Sequence, residues 1–419
     1  MNGKPVNRLL IVLGTVIMQM GLGTIYTWSL FNSPLVEKFG WDLSAVSITF
    51  SITSFALAFS TLFAGKIQEK IGLRKLTAAA GILLGIGLIL SSQASSLASF
   101  YILAGVIVGF ADGTAYITSL SNLMKWFPDR KGLISGISVG AYGTGSLIFK
   151  YINGSLINSV GISQAFLYWG LIVMAMILIG SMLVREAPVE PQGVSDDSKT
   201  QTTTSKTAVP AVQKNYTVSE MLRTKQAYLL FVVFFTACMS GLYLIGIVKD
   251  IGVQLADLDA ATAANAVALV AIFNTAGRLI LGALSDKVSR LKLVGCTLAV
   301  TAASAIILST VTLNYGLFFA CVAAIAFCFG GNITVFPAIV SDFFGLKNQT
   351  KNYGVIYQGF GIGALSGSFI AAMMGGFKPT FIVIGGLCVI SVLIALTLKP
   401  PMGKKAKKDV AFKAYKRTA

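Results

Sequence analysis

"GALSDKVSRLK", residues 282–292, and "GKIQEKIGLRK", residues 65–75, stand 217 residues apart and share the pattern G-x-x-x-[DE]-[RK]. The same offset relates Tyr26 in "GTIY" to Tyr243 in "SGLY", and Trp126 opening "WFPDRK" to Phe343 opening "FFGLKN". Three coincident offsets in separate apolar regions indicate an internal repeat. The chain reads as two related halves, each built of the same number of elements.

Those elements are membrane helices. Of 419 residues, 55% are hydrophobic and only 12% charged, and the mean hydropathy is +0.78, well beyond a soluble domain. Stretches such as Thr77 to Ser99 and Val294 to Tyr315 carry no charge. Each is long enough to cross a hydrocarbon core of about 30 Å as a helix of roughly 20 residues. The short alternating segments of a transmembrane barrel are missing. Apolar runs read against turn and charge signals predict spans at 7–32, 44–64, 76–93, 98–121, 133–153 and 163–184, then at 228–248, 260–281, 291–311, 315–341, 354–374 and 380–398. The expected fold is an all-α membrane protein with twelve transmembrane helices in two six-helix halves. Residues 1–184 form the first half and 228–398 the second, with a linker at 185–227 and a basic tail at 399–419.

Charge placement predicts the orientation. The net charge is +17, yet eight of the 33 Lys and Arg residues lie between Lys399 and Arg417. Most of the others fall in alternate loops: Lys66, Lys70, Arg74 and Lys75, then Arg130 and Lys131, then Lys287, Arg290 and Lys292. Under the positive-inside rule these loops and both termini are cytoplasmic, so the charge speaks for membrane orientation and against nucleic acid. The linker, rich in Ser, Thr and acidic residues, cannot fold alone. Its last part, Tyr216 to Thr224, has helical apolar spacing that suits a membrane surface. The five cysteines all lie within spans and read as packing thiols. No His, no metal-spaced Cys pair and no phosphate-binding loop occur, so no metal, nucleotide or other cofactor is expected, and neither is enzyme chemistry.

The two loop motifs resemble the signature that follows spans two and eight of the major facilitator superfamily, with Glu69 where Asp is usual and Ser289 where Gly is usual. More narrowly, "YTWSLF" at 26–31, "KWFPDRKG" at 125–132, "AYGTGS" at 141–146, "EMLRT" at 220–224, "GRLILGALSDKVSR" at 277–290 and "KNYG" at 351–354 resemble the bacterial oxalate/formate antiporter family. That family is related to the monocarboxylate transporters of lactate and pyruvate. The resemblance implies alternating access and a multi-pass protein of a bacterial plasma membrane. It also implies that Glu69 and Asp286, with Arg74 and Arg290 nearby, bridge the halves beside helix N-termini. Read from the residues alone, these remain ordinary loop charges.

One charge lies where none is expected. Arg278 stands eight residues before Asp286, so its backbone sits roughly 12 Å inside the end of its span at about 1.5 Å per residue. A buried guanidinium is costly there and is a functional hypothesis by default. Snorkelling toward the surface is the bland alternative. A planar, permanently charged fork suits a carboxylate. By resemblance, monocarboxylate transporters carry an Arg in span eight four residues after an Asp; here that position is Asn274, which can orient a substrate but cannot carry a proton. The family's oxalate exchanger carries a second cation in span eleven, at the position of Phe360 here. One fixed positive charge suits a monocarboxylate.

Other polar residues expected near the cavity are Tyr26, Tyr116, Tyr142, Asn332 and Tyr357, although tyrosines are as readily packing aromatics. Tyr26 leads because of its repeat mate. Asp112, the only acid near mid-membrane, is the candidate proton carrier, or else a static ion pair. The expected partners are a small carboxylate anion, H+ and membrane lipids, and the expected state is a monomer. The expected function is secondary active transport of a small monocarboxylate, with proton symport the preferred coupling, carboxylate exchange the alternative, and an anion channel or membrane sensor as readings from another class.

Overall fold

A computed structural model describes residues 7–188 and 215–401; most of the linker and nearly all of the basic tail lie outside the described residues. The described chain is helical. Its helices are α1 (Arg8–Leu22), α2 (Ser29–Phe39), α3 (Leu43–Ile71), α4 (Leu73–Ser91), α5 (Leu97–Phe100), α6 (Val108–Trp126), α7 (Lys131–Leu183), α8 (Val218–Leu222), α9 (Lys225–Ala256), α10 (Ala260–Leu284), α11 (Arg290–Thr310), α12 (Tyr315–Phe344), α13 (Gln349–Ile356), α14 (Gln358–Met374) and α15 (Phe377–Thr397). Among the described residues ten helices are long and apolar enough to cross a membrane, and Ala268–Leu284 adds a shorter apolar helix.

Local chemistry sets several of the boundaries. Asn7 caps α1 through Leu9 N–H, and Asn314 caps α12 through Leu317 N–H. The residues expected to form one span at 7–32 are interrupted: α1 ends at Leu22, a 3-10 turn runs Gly23–Thr27, and α2 begins at Ser29. The span expected at 354–374 is likewise divided at Tyr357 between α13 and α14. The two spans expected at 133–153 and 163–184 are separate helices, and helix runs on through most of the loop expected between them. There α7 is two helices joined at Gly161, whose φ of 77° and ψ of 167° suit a residue without a side chain. Apolar periodicity reports lipid or core contact along a helix and is blind to a backbone break within it.

The segment expected to lie on the membrane surface packs on protein instead. Thr217 and Glu220 form a capping box that starts α8. Tyr216 is buried edge-on against Phe344 at 5.6 Å, and its carbonyl accepts from the Asn348 and Asn352 amides. Met221 is fully buried. Specific side-chain donors and a waiting apolar socket outweigh a headgroup layer here.

Two seams join the helices before the linker to those after it: α7 packs on α10 and α12, and α3 packs on α13 and α14. The 217-residue offset that carries α3 onto α10 also carries α7 onto α14, so the seams are images of one another. Both are made of close helix contacts at small residues, as membrane helices need without a hydrophobic drive. A Cβ on Gly354 would come within 2.4 Å of the Thr61 carbonyl oxygen, and one on Gly361 within 2.7 Å of the Ala58 Cβ. On the other seam, Gly132, Gly136, Gly140 and Gly143 of α7 face Thr275 to Asp286. These contacts hold the bundle closed at the end where the charged loops lie.

Candidate functional site

The glycine stripe on α7 positions Arg278. A Cβ on Gly136 would sit 3.0 Å from the Arg278 carbonyl oxygen, and one on Gly143 would sit 2.7 Å from Thr275 Oγ1. The backbones approach closely enough for Arg278 to reach across the seam, where its Nη1 donates to the Val139 carbonyl at 2.8 Å. The side chain is 1% exposed; it does not snorkel. Its guanidinium carbon lies 5.8 Å from the ring centroids of both Tyr26 and Tyr142. Nε and Nη2 have no hydrogen-bond partner.

The energetic consequence is direct. Two cation–π contacts contribute about 0.5–2 kcal/mol each. Leaving donors of a buried charged group unpaired costs about 1–3 kcal/mol apiece or more. The guanidinium is therefore under-satisfied, and the group that would complete it is an anion with oxygen acceptors.

Around it lies an aromatic cluster. Tyr26 meets Tyr142 at 5.2 Å between ring centroids, Tyr142 meets Tyr116 at 5.7 Å, Tyr116 meets Tyr357 at 5.5 Å, and Tyr357 stacks on Phe360 at 5.1 Å. Tyr142 also donates its hydroxyl to Asp112 Oδ1 at 3.3 Å. Asp112 is fully buried and its Oδ2 has no partner. It is not held in an ion pair among the described residues. Arg278, Tyr26, Tyr116, Tyr142, Tyr357, Phe360 and Asp112 are thus brought together from both sides of the seam.

Two candidates are not. Asn274 donates to the Ala326 carbonyl at 3.3 Å, and its backbone packs on Gly330, so its amide ties α10 to α12. Asn332 accepts from the Thr297 hydroxyl at 2.7 Å, joining α12 to α11. In both cases a neighbouring helix supplies a nearer partner than the Arg278 cluster does. The symmetric role expected from the Tyr26 and Tyr243 pair is also absent: Tyr243 packs over Gly367 and beside Phe381, 5.5 Å away. The repeat conserves the helix and not the use of its side chain.

At the charged-loop end the acidic residues of the two motifs bridge the seams differently. Asp286 accepts from the Gly132 and Leu133 N–H groups, both at 2.8 Å, which are the free donors at the start of α7. Arg290 binds Asp286 at 2.6 Å and also reaches Asp342, and Lys131 binds Asp342 at 3.2 Å. Glu69 pairs with Lys351 at 2.6 Å across the other seam. Arg74 takes no part in that pair: its Nε donates to the Val184 carbonyl at 2.9 Å, and its Nη2 to the Met182 carbonyl, capping the end of α7 on its own side. Asp342 and Lys351 were not singled out by sequence, and Lys131 only as a loop charge that sets orientation. A signal existed for Asp342, which stands one repeat after Lys125 with its charge inverted.

Among the described residues no group of three or more His, Cys, Asp or Glu side chains could hold a metal ion. The model of the Major Facilitator Superfamily matches residues 11–312 and 229–418. This chain belongs to the Major Facilitator Superfamily. It is a multi-pass membrane transporter and not an enzyme. An uncharacterized MFS-type transporter of Escherichia coli (strain K12), YhjX, is 46% identical over 85% of this chain and 86% of its own length. The oxalate:formate antiporter of Oxalobacter formigenes is 28% identical over 96% of this chain and 93% of its own. The superfamily fold is seen again in the proton:xylose symporter XylE, solved bound to 6-bromo-6-deoxy-D-glucose. That structure matches with a TM-score of 0.72 at 13% identity, over 93% of this chain and 95% of the other. Within this superfamily member, Arg278 sits on one of the two seams along which the helices before and after the linker meet.

Proposed function

We propose that the protein carries a small monocarboxylate of the lactate or pyruvate class, coupled to a proton, by alternating access between the two halves. One observation carries the reading: a buried guanidinium on the seam between the halves with two unpaired N–H donors. A carboxylate offers two acceptor oxygens and a single negative charge, which answers both deficits. Among the described residues of the cluster Arg278 is the only cation, and the stacked ring of Phe360 occupies the position where the resemblance would place a second. A dianion such as oxalate would bring a charge with no counterpart.

Asp112 is the proton carrier in this reading. An anion entering an inside-negative cell works against about 2.3 kcal/mol per 100 mV, and one accompanying proton cancels that electrical cost. The ionic latch formed by Asp286, Arg290, Asp342, Lys131, Glu69 and Lys351 lies on the cytoplasmic side by the positive-inside rule, so the conformation described here is closed inward. Similarity to the oxalate:formate antiporter favours carboxylate exchange as the second reading.

The test is uptake of labelled lactate, pyruvate, formate and oxalate into proteoliposomes, with and without a pH gradient, by wild type and Arg278→Lys. Monocarboxylate uptake stimulated by external acid, and lost by more than about tenfold in the variant because lysine lacks the two-pronged donor, is the expected result. Dominant oxalate uptake, or ordinary kinetics in the variant, overturns the site assignment. Exchange without acid stimulation selects the second reading.

A further inference from the structure

Tyr142 touches both of the groups that the proposed function employs. Its ring lies beside the Arg278 guanidinium, 5.8 Å to the centroid, while its hydroxyl donates to Asp112 Oδ1 at 3.3 Å. Gly23 sits directly on its backbone, where a Cβ would come within 1.8 Å of the Tyr142 carbonyl oxygen, and Tyr26 and Tyr116 brace the ring edge-on from two sides. The side chain is therefore held in place, and the freedom left to it is rotation of its O–H bond. The hydrogen bond to Asp112 is long for a hydroxyl donating to oxygen.

From this geometry we infer that Tyr142 is the positioning residue that links proton binding to anion binding. The inference rests on the reading of Arg278 as the anion site and Asp112 as the proton site. With Asp112 ionised, the Tyr142 hydroxyl is directed to its carboxylate. A proton arriving at Asp112 forms an O–H bond at Oδ2, the oxygen without a partner, and the carboxylate becomes a neutral acid. Its attraction for the hydroxyl falls, and the Tyr142 O–H turns toward an anion seated on Arg278 as an added donor. Tyr142 keeps its own proton throughout; the transported proton enters and leaves at Asp112. Proton and anion thereby favour each other's binding, as linkage requires.

The neighbourhood contains few competitors for this role. Tyr26 meets Tyr142 from the turn between α1 and α2, Tyr116 lies one turn along on α6 itself with Tyr357 against it from the join of α13 and α14, and Arg278 stands behind Tyr142 from α10. The runs of α3 and α4 that pack on α6, residues 48–65 and 77–91, contain no titratable side chain, and neither do residues 9–22 of α1.

The experiment measures initial rates of labelled L-lactate and pyruvate uptake in proteoliposomes between external pH 6 and 8 for wild type, Tyr142→Phe, Asp112→Asn and the double variant. Monodisperse elution and a cooperative thermal transition check that each carrier is assembled. Wild type should show KM falling as pH falls. Tyr142→Phe should bind about tenfold more weakly at pH 6, the cost of one donor to a charged acceptor, with KM nearly independent of pH. Asp112→Asn, which imitates the neutral acid, should keep the low KM at every pH, and adding Tyr142→Phe to it should raise KM to the Tyr142→Phe value. A Tyr142→Phe carrier with the wild-type pH slope, or with a pH-independent rate defect and unchanged KM, overturns the inference while leaving the anion site standing. Wild-type uptake that ignores pH removes the proton reading beneath it.

Discussion

Asp286→Asn should loosen the closed end of the molecule by an amount the geometry allows to be worked out. The carboxylate accepts two backbone N–H groups at 2.8 Å from the start of α7 and pairs with Arg290 at 2.6 Å. Asparagine keeps one acceptor oxygen for the Gly132 N–H and the guanidinium, which share Oδ1, and presents an NH2 group to the Leu133 N–H, which points at Oδ2. One charge-assisted hydrogen bond is lost, worth about 1.5–3 kcal/mol, together with about 0.5 kcal/mol of attraction to the helix N-terminus. The ion pair adds little, since Arg290 retains Asp342. A net loss of about 2–3 kcal/mol shifts the balance of closed and opened latch by roughly 30- to 150-fold. Spin labels on cysteines placed at the exposed positions Arg130 and Lys287, in a background free of the five native cysteines, report the separation across this seam by pulsed dipolar spectroscopy. Wild type should give one short distance, and Asp286→Asn a second, longer population. A variant distribution that superimposes on wild type refutes the assignment of Asp286 as a latch between halves.

Gly136→Val should abolish transport and lower the melting temperature, because its Cβ meets the Arg278 carbonyl oxygen at 3.0 Å and backbone cannot yield as a side chain does; Gly246→Ala, where nothing lies within 4 Å, is the neutral control, and equal behaviour of the two in a thermal-shift assay refutes the close-approach argument. Asn332→Ala should leave KM for lactate within about twofold of wild type while costing about 1–2 kcal/mol of stability through the lost bond to Thr297; a large KM change in uptake kinetics would place it back in the site.

Much of the fold was legible because its signals are local or periodic. Runs of apolar residues identify helices by length alone, and the 217-residue offset of the two loop motifs identifies the repeat without any knowledge of contacts. Arg278 was legible for a related reason: a charge within an apolar run is conspicuous wherever it points. The breaks at Gly23 and Tyr357 were not, since each is a backbone event inside an unbroken apolar pattern. Nor could spacing separate Tyr26, which faces Arg278, from Tyr243, which faces Phe381.

The sequence by itself determined that this chain spans a membrane as paired sets of helices and that one permanent cation stands within an apolar run, because hydropathy, repetition and charge are properties of residues in order. Only the tertiary structure decided which side chains share that cation's surroundings. Asn274 and Asn332 were drawn away to nearer partners on α12 and α11, while Tyr142 and Asp112 were brought to one another across 30 residues. Hydrogen bonds are short-ranged and directional, so a polar residue's role is set by whichever partner the helix packing places within about 3 Å.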